Sequence, residues 1–202
     1  MTQTAPKRAY HSPLREQRAQ ETRDRVIAAA GDLFNLHGFA GTTMSAIAQK
    51  AGVSVESVHA VGTKGSLLVE AYTRRTADSD GAADGVPGEA DLETLVERQT
   101  ATNERSSGLW QSLRAAATVE PSVATALEAV LERRREGYLA AVDRLAEAGH
   151  MKGEPELRQR YAAALAVCLS PETYHQLVHD WGLGHDEYAT WLRRAIIGIG
   201  QV

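Results

Sequence analysis

The chain has 202 residues, of which 43% are apolar and 24% charged, and a formal net charge of −4, as expected for a soluble globular protein of one or two domains. Its single cysteine, Cys168, excludes an intramolecular disulfide and indicates a reducing, cytoplasmic environment. No apolar run approaches the length of a membrane span, and no apolar segment follows Lys7 and Arg8, so neither a membrane protein nor a secreted one is expected.

Charge is distributed unevenly along the chain. Residues 1–75 hold ten Lys and Arg against six Asp and Glu, whereas the remainder holds twelve against twenty. A basic amino-terminal third can approach phosphates, and an acidic remainder would be repelled by them. Acidic helices also keep proteins soluble, so charge alone does not decide the function.

Residues 1–19 are predicted to form a mobile basic tail and the start of a helix. Residues 1–12 are polar and without periodicity, and Pro13 is favoured in the first turn of a helix. Two interpretations of this tail are open: it lies along the DNA as an arm, or it is solvated and contacts nothing. Its cations are Lys7, Arg8, Arg15 and Arg18.

The first helix is expected to run to Gly38. Its apolar positions recur at the helical period and predict a buried stripe of Val26, Ala30, Leu33, Phe34 and His37. His37 lies on the margin of this stripe, where packing or capping is expected rather than ligand binding.

Two short helices joined by a tight turn are predicted between Thr42 and Lys64. Either Thr42 or Thr43 can cap the first helix, because a threonine hydroxyl accepts a hydrogen bond from an unpaired amide. One face of that helix carries Met44, Ile47, Ala48 and Ala51. Gly52 can adopt the left-handed conformation that ends a helix, and Ser54 can cap the next one. This arrangement predicts a helix-turn-helix, whose second helix can enter the major groove of DNA.

The second of these helices, residues 55–61, is the predicted recognition helix. Val58 and Val61 are expected to face inward, whereas an outward Val55 would suit a thymine methyl group and Glu56 a cytosine amino group. A solvated side chain without a role is the alternative for each residue. The candidate DNA contacts are Thr43, Met44, Ser45, Val55, Glu56, Ser57, His59, Ala60 and Lys64, with Ser57 and Lys64 directed at phosphates.

Several of these motifs resemble, in order and spacing, the DNA-binding domain of the TetR/AcrR repressors. They are Thr22-Arg23, Ile27-Ala28-Ala29-Ala30, Leu33-Phe34, His37-Gly38-Phe39, Ile47-Ala48, Ala51-Gly52-Val53-Ser54, and Lys64 followed by Leu67-Leu68. The resemblance is specific over residues 20–75. Further along, Leu169-Ser170-Pro171-Glu172, Trp181-Gly182 and Tyr188-Ala189-Thr190-Trp191-Leu192 are similar to the last two helices of many members.

The resemblance implies an all-α protein. A three-helix helix-turn-helix DNA-binding domain would occupy residues 20–80, and a helical effector-binding and dimerisation domain residues 81–202. The chain departs from the family pattern at His59, where a tyrosine that grips the DNA backbone is usual, and near Gly62, where an aromatic residue is usual. The segment 54–64 is also one residue shorter than in the family.

The remaining chain is predicted to be helical throughout, because no alternating β pattern occurs. The expected segments are a fourth helix at 64–78, a loop at 78–90, and helices at 92–105, 109–119, 121–148, from 155 with a break at Pro171, and 186–199. The run Arg133-Arg134-Arg135 is interpreted as solvated or salt-bridged.

An effector pocket and a dimer interface are expected in this second part. Because the segment is rich in Ala, Leu and Val, a largely apolar pocket is predicted, with core packing as the alternative role of its candidate lining residues Trp110, Tyr138, Tyr174 and His175. The resemblance implies a four-helix interface made by two helices of each subunit. Its candidates are Leu157, Tyr161, Leu165, Cys168, Trp191, Ala195 and Ile199.

The favoured function is a ligand-responsive homodimeric regulator, most simply a repressor that a small molecule releases from a palindromic DNA operator. An enzyme is disfavoured, because no Gly-rich phosphate loop, nucleophile elbow or Cys-x-x-Cys motif occurs. A metal-responsive protein would use His175 and His179 with His185 or His150, but this spacing is weak evidence and neither metal nor cofactor is predicted. An interaction protein that has lost DNA binding is a further alternative, suggested by His59 and the shortened segment.

Overall fold

The computed structural model describes residues 13–83 and 92–201, and all regular structure in these two ranges is helical, as predicted. The helices are α1 (Pro13–Gly41), α2 (Met44–Ala51), α3 (Val55–Val61), α4 (Lys64–Ala83), α5 (Leu92–Ala117), α6 (Pro121–Glu147), α7 (Pro155–Cys168), α8 (Pro171–Tyr174) and α9 (His185–Ile199). A π-helical segment, His175–Asp180, continues α8. The tail cations Lys7 and Arg8 and most of the predicted loop lie outside the described residues.

Helix α1 bends close to its predicted end. Gly38 has a φ of +70°, which interrupts the helical geometry before the last turn closes at Gly41. Phe34 is fully buried, and the Phe39 ring stacks on it with centroids 6.0 Å apart. The predicted burial of His37 is wrong: Phe39 covers the end of the apolar stripe, and the imidazole is exposed.

Helices α4 and α5 are both longer than the sequence indicated. α4 continues to Ala83, past the predicted end at Asp78: Asp, Ser and Gly disfavour a helix, but extending an existing helix costs less than starting one. α5 is one continuous helix where two were predicted. Gly108, within this helix, lets α1 approach closely, since a Cβ at this position would lie 2.3 Å from the Asn35 carbonyl oxygen.

Two hydrophobic cores lie along the molecule. The first joins α1–α4 to the second half of α5 and the first half of α6, including Trp110 and Val123. The second joins the first half of α5 and the second half of α6 to α7, α8 and α9, including Leu165 and Tyr188. Because α5 and α6 contribute to both cores, the predicted domain boundary near residue 80 does not separate two independent cores.

A buried polar group fixes the C-terminal helices against α5. The Asn103 amide is inaccessible to solvent and donates to the Leu169 carbonyl at 3.3 Å and the Tyr188 hydroxyl at 3.2 Å. Gln99 also donates to the Leu169 carbonyl, at 2.9 Å. Since buried amides lose their water partners, these bonds specify one position for the junction between α7 and α8.

Candidate nucleic-acid interface and effector cavity

The helix-turn-helix is assembled by the local signals that the sequence carries. The Thr43 side chain accepts a hydrogen bond from the Ala46 amide at 3.1 Å, and Ser54 does the same for the Ser57 amide at 3.2 Å. Gly52 between them has a φ of +66°. Both caps and the left-handed turn are therefore confirmed, and they fix the direction in which α3 leaves α2.

Helix α3 has one buried face and one open face. Val58 is fully buried, whereas Glu56, His59 and Ala60 are exposed. Val55 does not face fully outward as expected, because it is half-buried and packs against the first core. Its apolar character is thus explained by packing, and a thymine contact is not needed to account for it.

The other predicted DNA contacts are placed differently from one another. Thr43 and Ser45 are exposed at the start of α2, whereas Met44 is half-buried against the first core. The Ser57 hydroxyl lies 3.1 Å from that of Ser54, within the cap of α3. The Lys64 ammonium lies 4.3 Å from the centroid of the Phe39 ring, a cation–π contact that holds it beside the first turn of α4.

Glu56 places a negative charge on the open face of α3. Its own backbone amide and the Ser54 hydroxyl lower the pKa of this carboxyl below its usual value. The group is therefore ionised at neutral pH and suits the positive end of the helix dipole. Against DNA it would repel phosphates, so it favours poses that keep it over the base edges.

Four cations of the first 75 residues are already paired with carboxylates of the same unit. The pairs are Arg23 with Glu70, Arg74 with Asp24 at 2.6 Å and with Glu70 at 2.7 Å, Arg75 with Asp32 at 2.9 Å, and Lys50 with Asp32 at 3.3 Å. The hydrogen bond from Arg74 lowers the pKa of Asp24. Arg18 and Arg25 are exposed and have no ion-pair partner within the described ranges. Less positive charge is thus free to meet phosphates than the composition indicates.

A cavity of about 690 Å³ lies among α5, α6, α7 and α8. Its apolar lining comprises Leu131, Leu139, Ala162, Ala163, Ala166 and Val167. Its polar and aromatic lining includes Trp110, Arg134, Arg135, Tyr138, Gln159 and Glu172. The volume suits a small organic molecule, and the wall is largely apolar, as predicted, with its polar groups gathered around Arg134.

Arg134 forms the polar centre of this cavity, so the solvated or salt-bridged interpretation is wrong for this residue. Its Nε and Nη2 donate to the Tyr138 hydroxyl oxygen at 3.1 and 2.6 Å, and its guanidinium carbon lies 4.7 Å from the Trp110 ring centroid. Desolvation opposes its charge, but the neighbouring Tyr138, Tyr72 and Glu172 outweigh that effect and raise the pKa of Arg134 above its usual value. The cavity therefore contains a permanent cation.

Two of the four predicted effector residues line the cavity and two do not. Trp110 and Tyr138 belong to the wall. Tyr174 is buried edge-on against Tyr188, with ring centroids 4.8 Å apart, and His175 lies beside His179 in the π-helical segment. Sequence reasoning missed Arg134, although its spacing of four residues from Tyr138 places both on one face of a helix.

The predicted dimer residues divide in a similar way. Tyr161 and Leu165 are buried in the second core of their own subunit, so their side chains are not available to a partner. The others, which are Leu157, Cys168, Trp191, Ala195 and Ile199, are half-buried. Burial also raises the pKa of the Cys168 thiol. The large exposed apolar side chains of the C-terminal helices are Val167, Trp181 and Ile197.

The described residues form neither a metal-binding cluster nor a membrane-spanning helix. The part of the chain that the structure describes contains no group of three or more His, Cys, Asp or Glu placed to hold a metal ion. Within the same ranges, no helix is both long and apolar enough to cross a lipid bilayer.

The helix-turn-helix and the attached all-helical region define a DNA-binding transcriptional regulator. Residues 26–60, from the middle of α1 to the end of α3, match the family described as "Bacterial regulatory proteins, tetR family". The resemblance to the TetR family is thereby confirmed, and the amino-terminal unit is a TetR-type DNA-binding domain. No curated protein matches the sequence significantly.

Solved structures share the fold over nearly the whole chain. A proposed TetR-family regulator from Mesorhizobium loti MAFF303099 is 21% identical, with a TM-score of 0.70 over 90% of this chain and 96% of its own. A Saccharomonospora viridis protein crystallised with choline is 17% identical, with a TM-score of 0.70 over 88% and 96%. A TetR transcription regulator from Haloarcula marismortui ATCC 43049 is 18% identical, with a TM-score of 0.68 over 90% and 97%.

Proposed function

We propose that this protein is a homodimeric repressor that binds a palindromic DNA operator and leaves it when a small molecule enters the cavity. The main support for the proposal is one contact between the cavity wall and α4. The ring of Trp110, in the cavity wall, lies 5.6 Å from that of Tyr72 on α4, and α4 begins three residues after the recognition helix ends. Helix α4 thus lies between the wall of the cavity and the recognition helix α3.

A second contact couples the same two regions. Gly65, in the first turn of α4, packs against the start of α6, where an added Cβ would lie 2.9 Å from a Val123 methyl group. Further along, α6 contributes Arg134 and Tyr138 to the cavity wall. A ligand that displaces α6 would therefore press on the end of α4 that adjoins α3. In a dimer this would change the separation of the two recognition helices, which must match two major grooves at once.

Dimerisation through the C-terminal helices is part of the proposal. It would bury Trp181 and Ile197, two large apolar side chains that this region exposes. A protein of the same fold has been crystallised with choline, which supports small-molecule binding by this architecture. The reduced single cysteine and the DNA partner agree with a cytoplasmic location.

The first test is selection of bound sequences from random double-stranded DNA, followed by a gel shift with the selected site. We expect a palindrome whose half-sites are about one helical turn or more apart. Recovery of no sequence, or of a single unpaired half-site, would contradict the dimeric operator model. The same assay separates this function from an interaction protein that no longer binds DNA.

The second test addresses release. Coupling between two binding sites is typically about 1–3 kcal/mol, a change of about 5- to 150-fold in affinity, and it must be reciprocal. Calorimetric titration of an effector with and without operator should therefore give weaker ligand binding in the presence of DNA, by the factor with which the ligand weakens DNA binding. Equal ligand affinities in the two titrations would exclude release through this cavity.

A further inference from the structure

The cavity wall offers a hydrogen-bond donor without a matching acceptor. The Tyr138 oxygen accepts two hydrogen bonds from Arg134, so its own hydroxyl hydrogen remains to be donated elsewhere. Trp110 contributes its ring to the wall rather than its Nε1, because that nitrogen is inaccessible as well as without a partner in the described part of the protein. Buried polar groups are normally hydrogen-bonded, so a wall of this kind is suited to a ligand that brings acceptors.

The net charge of the wall also favours a ligand with an anionic group. No carboxylate of the described residues lies within ion-pair distance of Arg134, and the ion pair of Glu172 is with Arg114, at 3.9 Å. Arg134 and Arg135 together outweigh Glu172, which leaves the lining with a net positive charge. Partly buried charges are normally paired, and a guanidinium matches a carboxylate in a bidentate geometry.

The aromatic faces of the cavity are also already occupied. The Arg134 guanidinium carbon lies 4.7 Å from the Trp110 ring centroid and 5.7 Å from that of Tyr138. These faces are the groups that would attract a quaternary ammonium ion, and the guanidinium covers them and repels a second cation. A cationic ligand is therefore disfavoured in this cavity, both by charge and by space.

We propose that the effector is an amphipathic carboxylate, with its anionic group on Arg134 and Tyr138 and its apolar body along Ala162, Ala166 and Leu139. The inference rests on the proposed function only in naming the occupant an effector. The binding chemistry stands on the cavity alone. The volume of about 690 Å³ leaves room for an apolar body beyond the carboxylate.

Three probes with the same eight-carbon chain test this proposal. They are octanoate, octanol and octyltrimethylammonium, each titrated by calorimetry into the full-length protein below its aggregation concentration. We expect octanoate to bind at least tenfold more tightly than octanol, and octyltrimethylammonium not to bind. Similar affinities for octanoate and octanol, preference for the ammonium, or no binding of octanoate would each overturn the proposal.

Variants of one arginine run provide a matched comparison. Arg134→Gln removes the cation of the cavity, whereas Arg133→Gln removes the neighbouring cation, which is exposed and absent from the lining. We expect Arg134→Gln to weaken octanoate binding about 10- to 100-fold and Arg133→Gln to leave it unchanged, because charge-assisted hydrogen bonds contribute at this level. Equal effects of the two variants would show a general electrostatic influence and overturn the assignment.

A second variant tests the same contact in case Arg134→Gln does not fold. Tyr138→Phe keeps the ring and removes the hydroxyl, and it should weaken octanoate but leave the weaker octanol binding unchanged. Equal weakening of both probes would indicate distortion of the cavity and contradict a direct hydroxyl contact. A gel shift with the selected operator separates the two proposals: DNA binding without octanoate binding refutes the carboxylate alone, and octanoate binding without DNA binding refutes the regulator alone.

Discussion

Replacing Gly108 by alanine should destabilise the protein, although alanine is the better helix former. The glycine lies within α5 against α1, where an added Cβ would be 2.3 Å from the Asn35 carbonyl oxygen and 2.9 Å from its Oδ1. Carbon atoms do not approach backbone oxygens so closely, and the backbone of α1 cannot rotate away as a flexible side chain would. The two helices would have to separate by somewhat less than 1 Å, because contacts below 3.0 Å are essentially never observed for a real Cβ.

The expected size of the effect follows from three contributions. Overpacking a close contact costs about 1–3 kcal/mol, and the hydrogen bond from the Leu109 amide to Asn35 Oδ1, now 3.0 Å long, contributes about 1 kcal/mol more if it is lost. The higher helix propensity of alanine offsets about 1 kcal/mol of this. The net change is a loss of about 1–3 kcal/mol, or roughly 2–12 °C in Tm for a chain of this size.

Gly198→Ala is the matched control. Gly198 lies in α9, and an added Cβ there would meet no atom of its own subunit within 4 Å. The same substitution should therefore stabilise by about 0.5–1 kcal/mol, since alanine restricts the unfolded chain and favours helix. Urea unfolding followed by far-UV circular dichroism, at one protein concentration because oligomerisation adds to apparent stability, measures both. A Gly108→Ala variant as stable as the wild type would refute the close approach of α1 and α5.

Four other substitutions test the DNA interface, the dimer and the acid stability. Lys64→Ala should weaken binding to all DNA sequences and lower the salt slope by about one unit, and an unchanged slope in filter binding would show that this ammonium remains on Phe39. Two substitutions in α9, Ile197→Arg and Ala195→Arg, should each give monomers by light scattering and abolish operator binding, because each puts an unpaired charge into the proposed interface. A stable dimer in both variants would place the interface elsewhere. The hydrogen bond from Arg158 lowers the pKa of Asp143 in the folded protein. The pair therefore stabilises the folded state above the unfolded-state pKa of about 4, and this stability is lost as the pH falls through the pKa of the folded state. Asp143→Asn should thus flatten the decline of the urea midpoint between about pH 5 and 3, and a decline as steep as in the wild type would remove this pair as a cause.

The features that the sequence predicted correctly are local ones. The caps at Thr43 and Ser54 and the left-handed Gly52 depend on residues within three positions of one another, and the structure shows each as expected. Helix content and the order of elements follow from apolar periodicity, which also needs no knowledge of distant partners.

The features that it missed depend on distant partners. Gly108 is a weak helix residue in any window of sequence, and only the approach of Asn35, 73 positions earlier, explains why a glycine is needed there. Arg134 sits in a run of three arginines that is typical of a solvated surface, yet its environment is set by Trp110 on another helix. Tyr174 is a predicted lining residue that the structure instead buries in a T-shaped contact with Tyr188.

The internal ion pairs of the amino-terminal unit determine how the protein behaves on DNA that lacks an operator. Affinity for such DNA comes from counterions released by free cations, at about 0.9 per phosphate neutralised. Arg23, Arg74, Arg75 and Lys50 are engaged by the unit's own carboxylates, so they add little to this release. We therefore expect the described part of the protein to bind DNA without an operator more weakly than its count of cations indicates. For the operator binding proposed above, this would leave base-edge contacts a larger share of the discrimination against the excess of competing sites.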